Sequence, residues 1–320
     1  MKLQDVRSIT VIGAGIMGHG IGQVFAVAGY DVCLTDVSAD ILQKALVRIR
    51  KNLDIFRDNG FITGEESDAA MARVRTEVDL ATAVRNADVV IEAIKEDIEL
   101  KRSMFNRLDA LCPPRTVLAS NSSSLLISDF ASGTKRQDRV VLVHWYNPPH
   151  IVPAVEIIRG VKTSDETATL MYDLLKKARK LPIRINKEMP GYMLNRIQLA
   201  VMREVWHLWQ EGIASVEDID LAVKGSLGFR YASIGPLMTS DLGGQDTFCA
   251  VAKYLFPLLS DTHVPPEPYV KMVEAGNLGM KTGKGFYEHT KEEWDAIIEK
   301  RDREFLQRLK QLYWDQDPSA

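Results

Sequence analysis

Short β-branched and apolar runs alternate with helical periodicities over roughly the first 185 residues, and beyond them only the helical period remains. Ser8 to Ile12 reads as a buried strand, Ile21 to Ala28 as a helix and Asp31 to Thr35 as a second strand. Residues 39 to 59 place Ile41, Leu42, Ala45, Leu46, Ile49, Leu53 and Phe56 on one helical face, and Asp58-Asn59-Gly60 closes that helix. Ser67 to Arg73 reads as the start of a returning helix, so this pair is an insertion into a strand–helix–strand rhythm. The rhythm resumes with strand Val89 to Ala93, helix Glu99 to Leu111, strand Val117 to Ala119 and the loop SNSSSL. Two extended runs follow, Val140 to Val143 and Val155 to Ile158, then a helix from Thr167 to Ala178 and a strand from Leu181 to Ile185. Such alternation predicts an α/β fold, a doubly wound parallel sheet with ligands at the carboxyl ends of its strands.

After NKEMPG at 186–191 the expected elements are helices over Tyr192 to Gln210, Val216 to Lys224 and Asp241 to Leu259. The expected domains are therefore 1–187, α/β, and 188–320, all-α. Within the second, Trp294, Ile297, Ile298, Phe305, Leu309 and Leu312 recur at helical spacing and predict a packed terminal helix.

Composition narrows the function classes. The 320 residues are 46% apolar and 26% charged with a net charge of -3, which suits a globular protein and offers no basic stripe for nucleic acid. Three widely spaced cysteines, Cys33, Cys112 and Cys249, predict a reducing, cytoplasmic setting and no disulfide framework. No metal-ligand spacing is readable, and MKLQDVRSIT lacks the apolar core of a signal peptide. The uncharged run Ser8 to Tyr30 has the length of a membrane span, but its six glycines, His19 and Gln23 fit a strand, turn and helix better, so no membrane is expected.

That run carries the first chemistry. GAGIMG follows the first strand at once and opens a helix. Gly13 permits the turn, Gly15 lets the backbone approach a pyrophosphate, Gly18 allows close helix–strand packing, and Ile16 and Met17 complete the loop. The helix N-terminus then faces the anion. The second strand ends in Asp36, at the spacing expected of an acid that accepts from an adenosine ribose and repels a 2′-phosphate. These residues predict NAD rather than NADP.

The second chemistry lies in VHWYNPPHIVPAVEII, Val143 to Ile158. Prolines 148, 149 and 153 forbid a helix there, so His144 at the end of one extended run can return against Glu156 at the start of the next. Glu156 lies among Val155, Ile157 and Ile158, where a charge needs a partner. A histidine held by a carboxylate is a tuned general base, and a structural ion pair would look the same in sequence.

Taken together, VIGAGIMGHGIGQVFAVAGYDVCLTD, IEAIKEDIELK, LASNSSSL, the run from HWYNPP to VEII, PGYMLNR, EGIASVEDID and KTGKGFYEH resemble the L-3-hydroxyacyl-CoA dehydrogenases, in that family's order from about residue 8 to 289. The resemblance implies a Rossmann-like N-domain, a helical C-domain that forms a homodimer, and NAD. It assigns His144 and Glu156 as the catalytic pair and Ser123 and Asn195 as holders of the reacting oxygen. Asn147 and Asn121 fall beside the nicotinamide and the strand ends, and Glu96 and Lys101 on the cofactor side of the loop after the fourth strand.

The chain also departs from the acyl-CoA members. Two prolines and His150 follow Trp145-Tyr146-Asn147, and GFRYASIGP at 228–236 reads as a longer loop carrying Arg230. Both features resemble the branch that oxidises free hydroxy acids, with Arg230 placed to hold a substrate carboxylate in two parallel bonds. The expected substrate is a 3-hydroxyacyl-CoA, the alternative a small free hydroxy acid. A third possibility is a catalytically silent relative that keeps NAD.

Overall fold

The computed structural model describes residues 1–314. The first half builds β1 (Ser8–Ile12), α1 (Gly18–Val27), β2 (Asp31–Thr35), α2 (Ala39–Asp58), α3 (Gly64–Ala72), β3 (Val74–Glu77), α4 (Leu80–Val84), β4 (Val89–Glu92), α5 (Ile98–Leu111), β5 (Val117–Ser120) and α6 (Ile127–Phe130). After these come β6 (Val140–Trp145), β7 (Ala154–Ile158), α7 (Asp165–Lys177) and β8 (Leu181–Ile185). The strands form one sheet in the order β3-β2-β1-β4-β5-β6-β7-β8. Its winding reverses between β1 and β4, the place where such sheets bind ligands.

Two parts of the expected sheet are corrected. Val74–Glu77 is a strand that pairs with β2, although its alternating charges gave it no apolar run to be read from. The sheet is not parallel throughout, because β7 runs antiparallel to β6. The cause is the return at 146–153, which is too short for the crossover that a parallel neighbour needs. Then α7 provides a crossover, and β8 lies parallel to β7.

Two apolar layers cover the sheet. One gathers Ile9, Val11, Ile21 and Phe25 with Leu42, Ile49 and Leu53 of α2 and Met171 and Leu174 of α7. The other gathers Val90, Leu118 and Leu142 with Phe105 and Leu108 of α5, Phe130 and Tyr192. Helix starts follow the expected chemistry: Ser38, Thr63, Asp79, Asp97 and Ser164 each accept a backbone N–H in the first turn they cap.

The remaining elements are α8 (Leu194–Gln210), α9 (Val216–Val223), α10 (Phe229–Tyr231), α11 (Pro236–Gly243), α12 (Gln245–Leu255), α13 (Glu267–Glu274) and α14 (Lys291–Leu309). The single helix expected over Asp241 to Leu259 is broken at Gly244, whose φ of 89° no helix accommodates. The expected loop at 228–236 is also corrected. A π-turn at Lys224–Gly228 carries α9 straight into α10, so Arg230 stands on a helical turn.

The chain divides into two compact units, Met1–Met193 with the residues from Asp302 on, and Leu194–Arg301. The terminal helix is present as expected, but its end joins the first unit and not the helical domain. Leu306 and Leu309 are buried in the α/β core, and Trp314 packs edge-on against Phe56 and Phe61, with ring centres at 6.0 and 5.1 Å. The second unit is different in kind. Among its described residues only Ile219 is buried, and α8 buries none of its side chains.

Candidate active site

The strand pair β6–β7 sets His144 directly opposite Glu156. Side chains so paired share one face of a sheet, and Nδ1 of His144 lies 2.8 Å from Oε2 of Glu156 with both side chains buried. The carboxylate needs that partner, for its relative exposure is 0%. It also accepts from Tyr146, whose phenol lies 2.5 Å from the same oxygen. The Tyr146 and Tyr192 rings meet the imidazole edge-on, with centres at 4.5 and 5.2 Å. Burial first, and then the bond to Glu156, pushes the Tyr146 phenol far above its ordinary value, so it stays a donor. Neither tyrosine was singled out in the sequence. The signal was there for Tyr146, two residues after the histidine and thus on the same side of an extended chain.

The return between the two strands is held from behind. Lys180, buried just before β8, donates to the carbonyls of Pro149 (2.6 Å) and Val152 (2.9 Å). Burial pushes its amine down to about 7. Pro149 lies so close to α1 that a Cβ at Gly20 would come within 2.7 Å of it. Asn147, which precedes Pro148 through a cis peptide, is exposed on the return.

At the end of β5, Asn121 accepts from the Trp145 N–H at 2.9 Å and so ties the serine loop to the histidine's strand. Glu96 gathers the loop. Its Oε1 accepts from the Ser122 hydroxyl (2.5 Å) and from the N–H groups of Ser123 and Ser124 (both 2.9 Å). Burial alone would raise the Glu96 carboxyl, but the Ser122 hydroxyl, the Lys101 ammonium and Ser124 hold it at about 2. Ser123 is exposed at the loop's tip and does not cap α6, whose N-cap is Leu126. Tyr192 links loop and base, since its phenol donates to the Leu125 carbonyl at 2.6 Å while its ring lies on His144.

Lys101 departs from its expected place beside the cofactor. Its side chain is wholly enclosed, 2.7 Å from Glu92 and 3.4 Å from Glu96, because two carboxylates at the end of β4 draw the ammonium inward. It stabilises Glu96 and through it the loop. Asn195 and Arg230 belong to the second unit. Asn195 stands half-buried in the first turn of α8, and Arg230 is exposed with its guanidinium 3.0 Å from the Ser226 hydroxyl one turn back.

The glycine loop fits a dinucleotide. Gly13 has φ of 92°, and a Cβ there would meet the Ala93 carbonyl at 2.6 Å. A Cβ at Gly18 would strike the Gly13 carbonyl, so helix and turn touch. At Gly15 a Cβ would meet nothing, which is the open approach a pyrophosphate requires. Ile16 and Met17 carry the chain from there into α1, Ile16 being exposed. Asp36 is anchored at the edge, accepting from Ala14 and Val37 N–H at 2.7 Å each. A cavity of about 510 Å³ opens beside these residues, walled by Val37, Val78, Ile94, Leu100 and Met104. Those apolar walls were missed in the sequence, for they come from four separate segments.

Two family models match the chain, the 3-hydroxyacyl-CoA dehydrogenase NAD-binding domain over residues 8–189 and the 3-hydroxyacyl-CoA dehydrogenase C-terminal domain over 191–289. The chain belongs to the 3-hydroxyacyl-CoA dehydrogenase family. Its cofactor is NAD, and its activity is that of an NAD-dependent dehydrogenase. A probable 3-hydroxybutyryl-CoA dehydrogenase of Bacillus subtilis is 39% identical over 89% of this chain and 98% of its own length. The 5-formyl-3-hydroxy-2-methylpyridine 4-carboxylate 5-dehydrogenase of Mesorhizobium japonicum is 31% identical over 94% and 96%. Among solved structures, an enzyme of that latter name, described as an NAD-dependent dismutase, superposes with a TM-score of 0.90 at 30% identity over 96% of this chain and 98% of its own. The (S)-3-hydroxybutyryl-CoA dehydrogenase of Ralstonia eutropha gives 0.74 at 35% identity, over 89% and 99%. Among the described residues no helix is long and apolar enough to cross a membrane, and no group of side chains is arranged to hold a metal.

Proposed function

We propose that this dehydrogenase oxidises the 3-hydroxyl of a 3-hydroxyacyl-CoA to a ketone, with His144 as the general base. The observation that carries the reading is the buried His144–Glu156 pair at 2.8 Å. With Nδ1 committed to the carboxylate, Nε2 is the atom that takes the hydroxyl proton. The C3–H bond would break with its electron pair leaving as hydride, the oxygen would keep both electrons of its O–H bond, and the C–O bond would become a carbonyl. Glu156 stabilises the imidazolium that results. NAD supplies the hydride acceptor. Gly13, Gly15, Ile16, Met17 and Gly18 would cradle its pyrophosphate, Asp36 would hold the adenosine ribose, and Asn121, Asn147 and the Glu96–Lys101 pair would shape the nicotinamide end. Ser123 and Asn195 are assigned the reacting oxygen by the resemblance, where their donors would act on the charge that develops there.

A second reading has its own support. The pyridine-carboxylate enzyme superposes with a TM-score of 0.90 over 96% of the chain, against 0.74 over 89% for the Ralstonia eutropha (S)-3-hydroxybutyryl-CoA dehydrogenase. In this reading the substrate is a small free hydroxy acid and Arg230 holds its carboxylate. Following NADH absorbance with 3-hydroxybutyryl-CoA and a panel of free hydroxy acids decides between them. Turnover of the thioester, unchanged in Arg230→Met, supports the first. Turnover of free acids alone, lost in Arg230→Met, establishes the second, and none with any alcohol would point to a silent NAD-binding relative.

The assembly that fits this reading is a homodimer. Side chains such as Phe229 (76% exposed), Leu237 (82%) and Phe256 (71%) leave the second unit without a core of its own in a single chain. The free thiols of Cys33, Cys112 and Cys249 suit a cytoplasmic enzyme.

A further inference from the structure

His144 and Tyr146 compete for one oxygen atom. Oε2 of Glu156 accepts from Nδ1 of His144 at 2.8 Å and from the Tyr146 phenol at 2.5 Å, and the tyrosine ring lies edge-on to the imidazole with centres 4.5 Å apart. A carboxylate that accepts a second strong hydrogen bond has less charge to offer the first donor. We propose that Tyr146 is a positioning residue that shares the Glu156 carboxylate with His144, weakening its hold on the protonated ring during alcohol oxidation near neutral pH. The inference rests on His144 as the base. Tyr146 itself does not titrate in that range, since burial and the charge of Glu156 keep its proton in place.

Glu156 stands across the strand pair, Tyr146 follows just past the end of the histidine's strand, and the Tyr192 ring also meets the imidazole edge-on. Burial pushes the Tyr192 phenol up, the Ser122 hydrogen bond opposes it, and the charges of Glu96, Glu188 and Glu156 add to the rise, so it too stays neutral. Glu156 is thus a charge in contact with the ring, and Tyr146 a donor that shares it.

The test is an NMR pH titration of ring ¹⁵N-labelled histidine in the full-length, NAD-bound protein, with the His144 signal assigned by its loss in His144→Ala. In Tyr146→Phe the midpoint is expected to rise by about half a unit to one unit, and the acid limb of the pH–rate profile to follow it. Fluorotyrosine at 146, a stronger donor of nearly the same shape, is expected to move both the other way, and it keeps the test open if the phenylalanine variant folds poorly. A midpoint unmoved in both proteins, or moved the same way in both, overturns the proposal. The two readings fail separately. Near-normal turnover in His144→Ala would remove the base assignment, whereas an inactive His144→Ala beside a Tyr146→Phe that titrates like the parent would remove only the role of Tyr146.

Discussion

Asp36 illustrates how little at the residue scale is done by a side chain alone. Its two oxygens accept from Ala14 and Val37, so the carboxylate is fixed by the turn it serves. Hydrogen bonds to a charged group are worth about 1.5–3 kcal/mol. Asp36→Ala should therefore weaken NAD binding by about tenfold or more while leaving NADP less affected, a difference that titration with each cofactor measures. At the base, His144→Ala should cost a factor of about 10² to 10⁴ in turnover with NAD affinity nearly unchanged, because the ring acts on the substrate proton and not on the dinucleotide. Steady-state kinetics beside a cofactor titration check both halves of that expectation. Ser123 and Glu96 show the limit of residue-by-residue reading. The serine's place depends on a carboxylate 27 positions away, which depends in turn on a buried lysine.

At the scale of elements, two turns carry the site. The β1–α1 turn needs Gly13 both for its φ of 92° and for its contact with the Ala93 carbonyl. Gly13→Ala is expected to cost about 1–3 kcal/mol, read from urea unfolding, and to weaken NAD as the loop shifts. The return at 146–153 is latched by Lys180, and that latch makes stability depend on pH. Below about pH 7 the folded and unfolded chains both carry the ammonium, and the cost of burying it is felt in full. Between about 7 and the ordinary value of 10.5 the unfolded chain holds a proton that the folded chain has released, so stability rises with pH. Melting temperatures from neutral to mildly alkaline pH should climb more steeply in the parent than in Lys180→Met. Equal slopes would mean that the two carbonyls offset the burial and keep the amine charged.

For the whole molecule, the contrast between the two units sets the expectation. The first has two apolar layers over a sheet and takes in the end of the chain, while the second buries only Ile219 among its described residues. Sedimentation equilibrium should give twice the mass of one chain, and a stable monomer at micromolar concentration would refute the dimer. The sequence by itself determined the sheet's strands, the glycine turn and the pairing of a histidine with an acid. Each is a local matter of side-chain period, backbone freedom at glycine and proline, and a short return. Val74–Glu77 escaped because an edge strand with alternating charges pairs through its backbone, which leaves no apolar trace. Only the tertiary structure decided that Lys101 turns inward to two carboxylates and that Tyr146 takes a share of Glu156. It alone also packed Leu306, Leu309 and Trp314 against the first unit. Those outcomes depend on which distant groups a fold brings within bonding reach, and periodicity along a chain records how a segment is shaped but not what it will meet.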